Sequence, residues 1–185
     1  MSARQFLDGA RDKADRCGCL LLSVQSAAAT WDTIGLVREA SKNGRAKRDQ
    51  LFGADTGRVE QALSVALRAS DADARSVVLA GFSDGASFAL SLGLANSATV
   101  RGVIAFAPGF HLEPAAINPR QRLFIAHSPT DPILSFERTR DDTVASLKNA
   151  GFDVRFRPFE GGHRVDRSVL SDGIDYVLGR SAPTG

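Results

Sequence analysis

The sequence predicts an α/β fold, a mostly parallel sheet with helices on both faces, and three observations predict it. Short apolar runs alternate with stretches of helical spacing, the signature of strand–helix–strand units. One junction passes from Val77-Val78-Leu79-Ala80 through Gly81-Phe82-Ser83-Asp84-Gly85 into a helix carrying Phe88, Leu90, Leu92 and Leu94. It reads as a buried strand, a tight turn and a helix in immediate succession. The composition, 43% apolar and 24% charged over 185 residues, suits one domain with an ample core. Residues 1–180 are read as that domain and 181–185 as a disordered tail.

Taken in order, Ala3 to Arg16 reads as a mixed-charge helix, and Leu20 to Gln25 as the first strand. The polar, Gly-punctuated run from Gly35 to Gly53 reads as an insertion or long loop. Val59, Ala62, Leu63, Ala66 and Leu67 have helical spacing behind a cap at Asp55 or Thr56. Further strands are expected at Ser76 to Ala80, Gly102 to Ala107, Arg122 to Ala126 and Phe152 to Pro158, with helices at Phe136 to Ala150 and Val165 to Leu178. In the last strand Phe152, Val154 and Phe156 alternate with Asp153, Arg155 and Arg157, a period of two with one wet face, which places it at a sheet edge.

Charge and cysteine content exclude several classes of function. A formal charge of +2 gives no footing for nucleic acid. Arg38, Lys42, Arg45, Lys47 and Arg48 are interleaved with Glu39 and Asp49 and read as a solvated surface loop. Cys17 and Cys19 stand too close for a relaxed bridge and read as free thiols. Seven charged residues in the first sixteen exclude a signal-peptide core. No later run approaches spanning length, so a soluble, cytoplasmic protein without stable membrane insertion is expected.

The Gly81 to Gly85 turn also carries chemistry. A serine hydroxyl is a weak nucleophile that needs exposure at a strand's carboxyl end and a base within hydrogen-bond reach. Gly81 and Gly85 flank Ser83 where strand and helix approach closely, the layout of a nucleophile elbow. The acid and base are then sought at later strand ends, in that order. His163, behind the paired glycines of Phe159-Glu-Gly-Gly-His163, is the candidate base. Asp131, in the turn-forming His127-Ser-Pro-Thr-Asp131-Pro that follows the Arg122 strand, is the candidate acid. Asp84 is read as stabilising the start of the helix, with its backbone N–H as a candidate oxyanion donor. His111 follows a strand end and is read as a surface-loop residue.

These residues together resemble the phospholipase/carboxylesterase group of α/β-hydrolases, which includes bacterial esterases and acyl-protein thioesterases. The likeness runs from about residue 10 to 179 and rests on Gln25-Ser26, Thr30-Trp31-Asp32, Gly81 to Ser87 with the helix to Asn96, Ala105 to Phe110, His127 to Asp131 and Gly161-Gly-His163. It implies Ser83 as nucleophile, Asp131 as acid and His163 as base, no metal or organic cofactor, and a small-molecule acyl ester as substrate. The chain departs from the pattern at Ser128, where the family commonly has glycine, and at Arg164-Val-Asp166. The resemblance also implies a strand and His-Gly-rich oxyanion loop before the first helix, which this sequence lacks. The expectation is therefore an N-terminally shortened fold in which the absent strand would lie between the Leu20 and Ser76 strands, with direct pairing of those two strands or a rebuilt N-terminus as the alternatives.

The expected function is a serine hydrolase cleaving esters or thioesters through an acyl-enzyme. The alternative is an impaired or non-catalytic homologue with a binding role, and a transacylase or peptidase on the same triad stays open.

Overall fold

A computed structural model describes residues 3–43, 52–114 and 116–180. Four parallel strands, β1 (Val77–Phe82), β2 (Val100–Phe106), β3 (Arg122–His127) and β4 (Asp153–Pro158), lie side by side in chain order. The crossovers are α4 (Asp84–Ala95), between β1 and β2, and a continuous helix between β3 and β4. That helix runs as α5 (Phe136–Arg138), a π-helical stretch (Thr139–Val144) and α6 (Ala145–Asn149). Before the sheet come α1 (Ala3–Cys17), α2 (Asp32–Asn43) and α3 (Ala54–Arg68), and after it α7 (Arg167–Leu178).

Both faces of the sheet are covered. On one, Ala86, Leu90 and Leu94 of α4 and Val144 and Leu147 of the helix before β4 pack on Val103, Leu123 and Ile125. On the other, Ala10 of α1 and Val169, Leu170 and Val177 of α7 pack on Ile104, Phe106 and Phe124. The continuous apolar spelling of β2 and β3 follows, because a strand buried on two faces has no polar side to show. β4 alternates as expected, with Val154 and Phe156 turned inward and Asp153, Arg155 and Arg157 exposed, and it forms one edge. Lys13 ties α1 to α7 through Asp175, with Nζ 2.5 Å from Oδ2.

Three expectations are corrected. The run Leu20 to Gln25 joins no sheet, and Leu20 and Leu22 are 55% and 44% exposed. Between it and β1 lies a cavity of about 820 Å³, bordered by Phe6, Leu21, Leu63, Val78, Ala80 and Phe82 among others. β1 is hydrogen-bonded to β2 alone, so the Leu20 run has no neighbour within ladder reach and cannot satisfy its backbone as a strand. The run begun at Gly35 is not a loop throughout: α2 continues to Asn43, and residues 44–51, with Arg45, Lys47, Arg48 and Asp49, lie outside the described residues. Finally, α3 starts at Ala54 behind Gly53, without a side-chain cap. The 181–185 tail also lies outside the described residues.

Candidate active site

The turn after β1 is built by close approach. A Cβ on Gly81 would overlap the backbone carbonyl of Gly85, and one on Gly85 would press on Trp31 Nε1 at 3.3 Å. Ser83 takes φ 59° and ψ −120°, a conformation that costs a non-glycine residue on the order of 1–3 kcal/mol and persists only where its surroundings enforce it. They do: its N–H donates to Phe106 O at 2.9 Å, and its carbonyl accepts the N–H groups of Ala86 and Ser87.

The loops after β3 and β4 meet this turn. His163 Nε2 lies 2.9 Å from Ser83 Oγ, and His163 Nδ1 lies 2.7 Å from Asp131 Oδ2. The three residues singled out in the sequence, 48 and 32 positions apart, therefore form one hydrogen-bonded line. The Asp131 side chain is fully buried and that of His163 is 18% exposed. Burial alone would raise the Asp131 carboxyl, but hydrogen bonds from His163 and from the backbone of Leu134 and Ile133 outweigh it and hold the group below its ordinary range. The Phe82 ring packs against the His163 imidazole, with centroids 4.6 Å apart.

Ser128, the departure at a position commonly glycine in the resembling family, is fully buried, and its Oγ accepts the N–H of Gly162 at 3.0 Å. It thus joins the loop carrying Asp131 to the residue before His163. Gly162 has φ 71°, which a side chain would resist.

The Thr30-Trp31-Asp32 segment fastens to the same turn. Thr30 Oγ1 donates to Asp84 Oδ2 at 2.6 Å, and Trp31 stacks on Phe88 of α4 at 4.2 Å. Asp55 accepts the N–H groups of Ala27 and Asp32, each at 3.0 Å. Asp84 also accepts the Gly85 N–H, so its carboxylate points to Thr30 and the helix start and away from the Ser83–His163 line. His111 sits half-buried in the loop after β2, where burial pushes its pKa down against the pull of Glu113, and it is not one of the groups bonded along that line. Cys17 and Cys19 are free thiols.

His127 and Thr139 are part of this neighbourhood that sequence reasoning did not assign: His127 Nε2 is 3.0 Å from Asp131 Oδ2 and its Nδ1 is 2.8 Å from Thr139 Oγ1. The i, i+4 spacing of His127 and Asp131 was visible, but nothing in the spelling of Thr139 marks it.

A parallel sheet with helices on both faces, carrying a serine in a strand-to-helix turn at one strand's carboxyl end, fits an α/β-hydrolase. The chain belongs to the phospholipase/carboxylesterase family, whose model matches residues 31–177. Its fold is similar to that of a Bacillus cereus carboxylesterase, at 18% identity over 97% of this chain and 83% of that one with a TM-score of 0.69. It is also similar to a Mesorhizobium loti carboxylesterase, at 17% identity over 94% and 83% of the two chains and a TM-score of 0.70. YahD, solved with malic acid, is similar at 17% identity over 98% and 89%, with a TM-score of 0.69. No curated protein matches the chain. Among the described residues no helix is long and apolar enough to cross a membrane.

Proposed function

We propose that this protein is a serine hydrolase that cleaves carboxylic esters, or thioesters, of small acyl substrates through Ser83, His163 and Asp131. The observation that carries the reading is the line from Ser83 Oγ through His163 to Asp131 Oδ2, with links of 2.9 and 2.7 Å. In the resting state the Asp131 carboxylate can only accept, so the His163 proton sits on Nδ1 and leaves Nε2 free to take the serine proton.

Ser83 Oγ attacks the acyl carbonyl carbon as its proton passes to His163 Nε2, and Asp131 stabilises the imidazolium that forms. The backbone N–H of Asp84, at the start of α4, donates to the developing oxyanion, aided by the positive end of the helix. The bond to the leaving oxygen or sulfur breaks as that atom takes the proton from His163. Water repeats the sequence on the acyl-enzyme, releasing the acid and restoring Ser83. No step calls for a metal or organic cofactor, and the modest net charge of +2 offers nothing to nucleic acid.

A second reading, an impaired homologue that binds acyl compounds, is favoured by one observation, the open cavity along β1 beside the nucleophile turn. Hydrolysis of p-nitrophenyl acetate separates the two. The first reading expects turnover that Ser83→Ala lowers by at least about 10³-fold with an unchanged circular dichroism spectrum. Equal rates in both proteins would remove Ser83 from the mechanism.

A further inference from the structure

The proposed acid carries two imidazoles. Asp131 Oδ2 faces both His163 Nδ1 and His127 Nε2, at 2.7 and 3.0 Å, while Oδ1 accepts the N–H groups of Ile133 and Leu134 at 2.8 and 3.0 Å. The mechanism above uses His163 and leaves His127 without a task. His127 ends β3 with no solvent exposure. Its Nδ1 meets the hydroxyl of Thr139, also buried, at 2.8 Å. Thr139 opens the π-helical stretch Thr139–Val144, a kind of irregularity that recurs at functional sites.

Hydrogen counting fixes the roles. Burial pushes the His127 pKa down, more than Asp131 pushes it up, so the ring is neutral and carries one N–H. The carboxylate cannot donate, which places that hydrogen on Nε2 and leaves Nδ1 as an acceptor. Thr139 then donates to Nδ1 in preference to its longer alternatives, Pro108 O at 3.2 Å and Ser135 O at 3.4 Å.

We infer that His127 is a positioning residue of the hydrolytic site: held in the Nε2–H tautomer by Thr139, it fixes the Asp131 carboxylate for His163 and takes up part of the charge on Oδ2. This rests on the serine-hydrolase reading. Two consequences follow. With its oxygens engaged by His127, His163, Ile133 and Leu134, Asp131 is held against rotation away from His163. Charge on Oδ2 is also divided between the two imidazole N–H groups, so losing His127 would concentrate it on the bond to His163. The titratable groups facing Asp131 are His127 from β3 and His163 from the loop after β4; those facing His127 are Asp131 and, at longer range, His163.

The test measures kcat, KM and the pH dependence of kcat/KM for p-nitrophenyl acetate in His127→Leu, His127→Gln and Thr139→Val, beside ¹⁵N-histidine NMR of the wild type. His127→Leu should lower kcat by roughly 10- to 100-fold with KM within about threefold. It should also move the acid limb of the profile to higher pH, by about 0.5 to 1 unit for one lost hydrogen bond. His127→Gln, which restores a donor to Asp131 and an acceptor to Thr139, should recover most of kcat. Thr139→Val should shift the limb the same way with a smaller loss. The NMR spectra should hold His127 as the neutral Nε2–H tautomer at neutral pH and above.

Should His127→Leu fail to fold, Thr139→Val and the NMR spectra decide. An unmoved acid limb and unchanged kcat in a folded variant, or His127 in the Nδ1–H tautomer, would overturn the inference. That failure is distinct from failure of the hydrolase reading, which appears as wild-type protein without turnover and would take this inference with it.

Discussion

The two sides of the sheet are finished to different degrees. From β2 to β4 the interior is closed: Leu123, Phe124, Ile125 and Ala126 of β3 are 0% exposed, and helices cover both faces. Beyond β1 it is open. The strand ends in a cavity, and the Leu20 run beside it leaves apolar side chains in solvent. All three residues of the Ser83–His163–Asp131 line project from the β1–β4 sheet or the loops after it, and the N-terminal side braces the nucleophile turn through Thr30 on Asp84 and Trp31 on Phe88. The difference teaches that the residues of the proposed active site are gathered by the packing of β1 to β4, α4 and the loops at the strands' carboxyl ends, and not by the Leu20 run.

The sharpest way to break this comparison is to cut equivalent leucines on the two sides. Leu123→Ala, in the closed half, should cost about 2–5 kcal/mol in urea unfolding. Leu22→Ala, in the open half, should stay within about 0.5 kcal/mol. Similar losses would mean that the Leu20 run is packed in solution.

Glycines sharpen it next. Gly81→Ala forces a methyl onto the Gly85 backbone and should cost about 1–3 kcal/mol or more and displace Ser83. Gly35→Ala, in α2 with nothing within 4 Å, should stabilise by about 0.5–1 kcal/mol through helix propensity. Thermal midpoints moving in opposite directions check both.

Ser128→Ala removes the acceptor for the Gly162 N–H and should weaken the His163 loop by about 1 kcal/mol. We expect turnover to fall several-fold with KM little changed, and Ser128→Thr to recover it. Equal kcat in Ser128→Ala would leave the loop held by its other contacts.

The smallest effect is on pH. His127 and His111 both have folded pKa values pushed below the ordinary histidine value of 6.5 by burial. Below that value the unfolded chain binds protons that the folded chain refuses. Stability should therefore be level above about pH 6.5 and decline as pH falls from there through the folded values. Asp131, lowered instead by its hydrogen bonds, adds loss only below the ordinary aspartate range near 3.8. A urea midpoint flat from pH 7 to 5 would contradict the buried, neutral placement of the two histidines.

What was legible in the sequence follows the same division. The period-two spelling of Phe152 to Pro158 placed β4 at an edge, and Gly81 and Gly85 announced the turn, because both signals are local. The Ser83, Asp131 and His163 line was legible because strand ends of a parallel sheet gather at one rim, so chain order stands in for space. The Leu20 run misled because an apolar run promises a strand only when a neighbour exists to pair with it. Residues 35–43 misled because the glycine at 35 masked helical spacing through Ile34 and Val37. His127 with Thr139, and Ser128 with Gly162, were not legible at all: each is a contact between different loops or helices, and no spacing rule connects them.

The central claim is that the β1–β4 sheet and the loops at its rim position a working nucleophile and base. The most direct measurement is labelling of the purified chain with a fluorophosphonate, followed by mass spectrometry to locate the adduct. The account predicts one adduct at Ser83 that disappears in His163→Ala; a folded chain that stays unlabelled, or labels equally without His163, would contradict it.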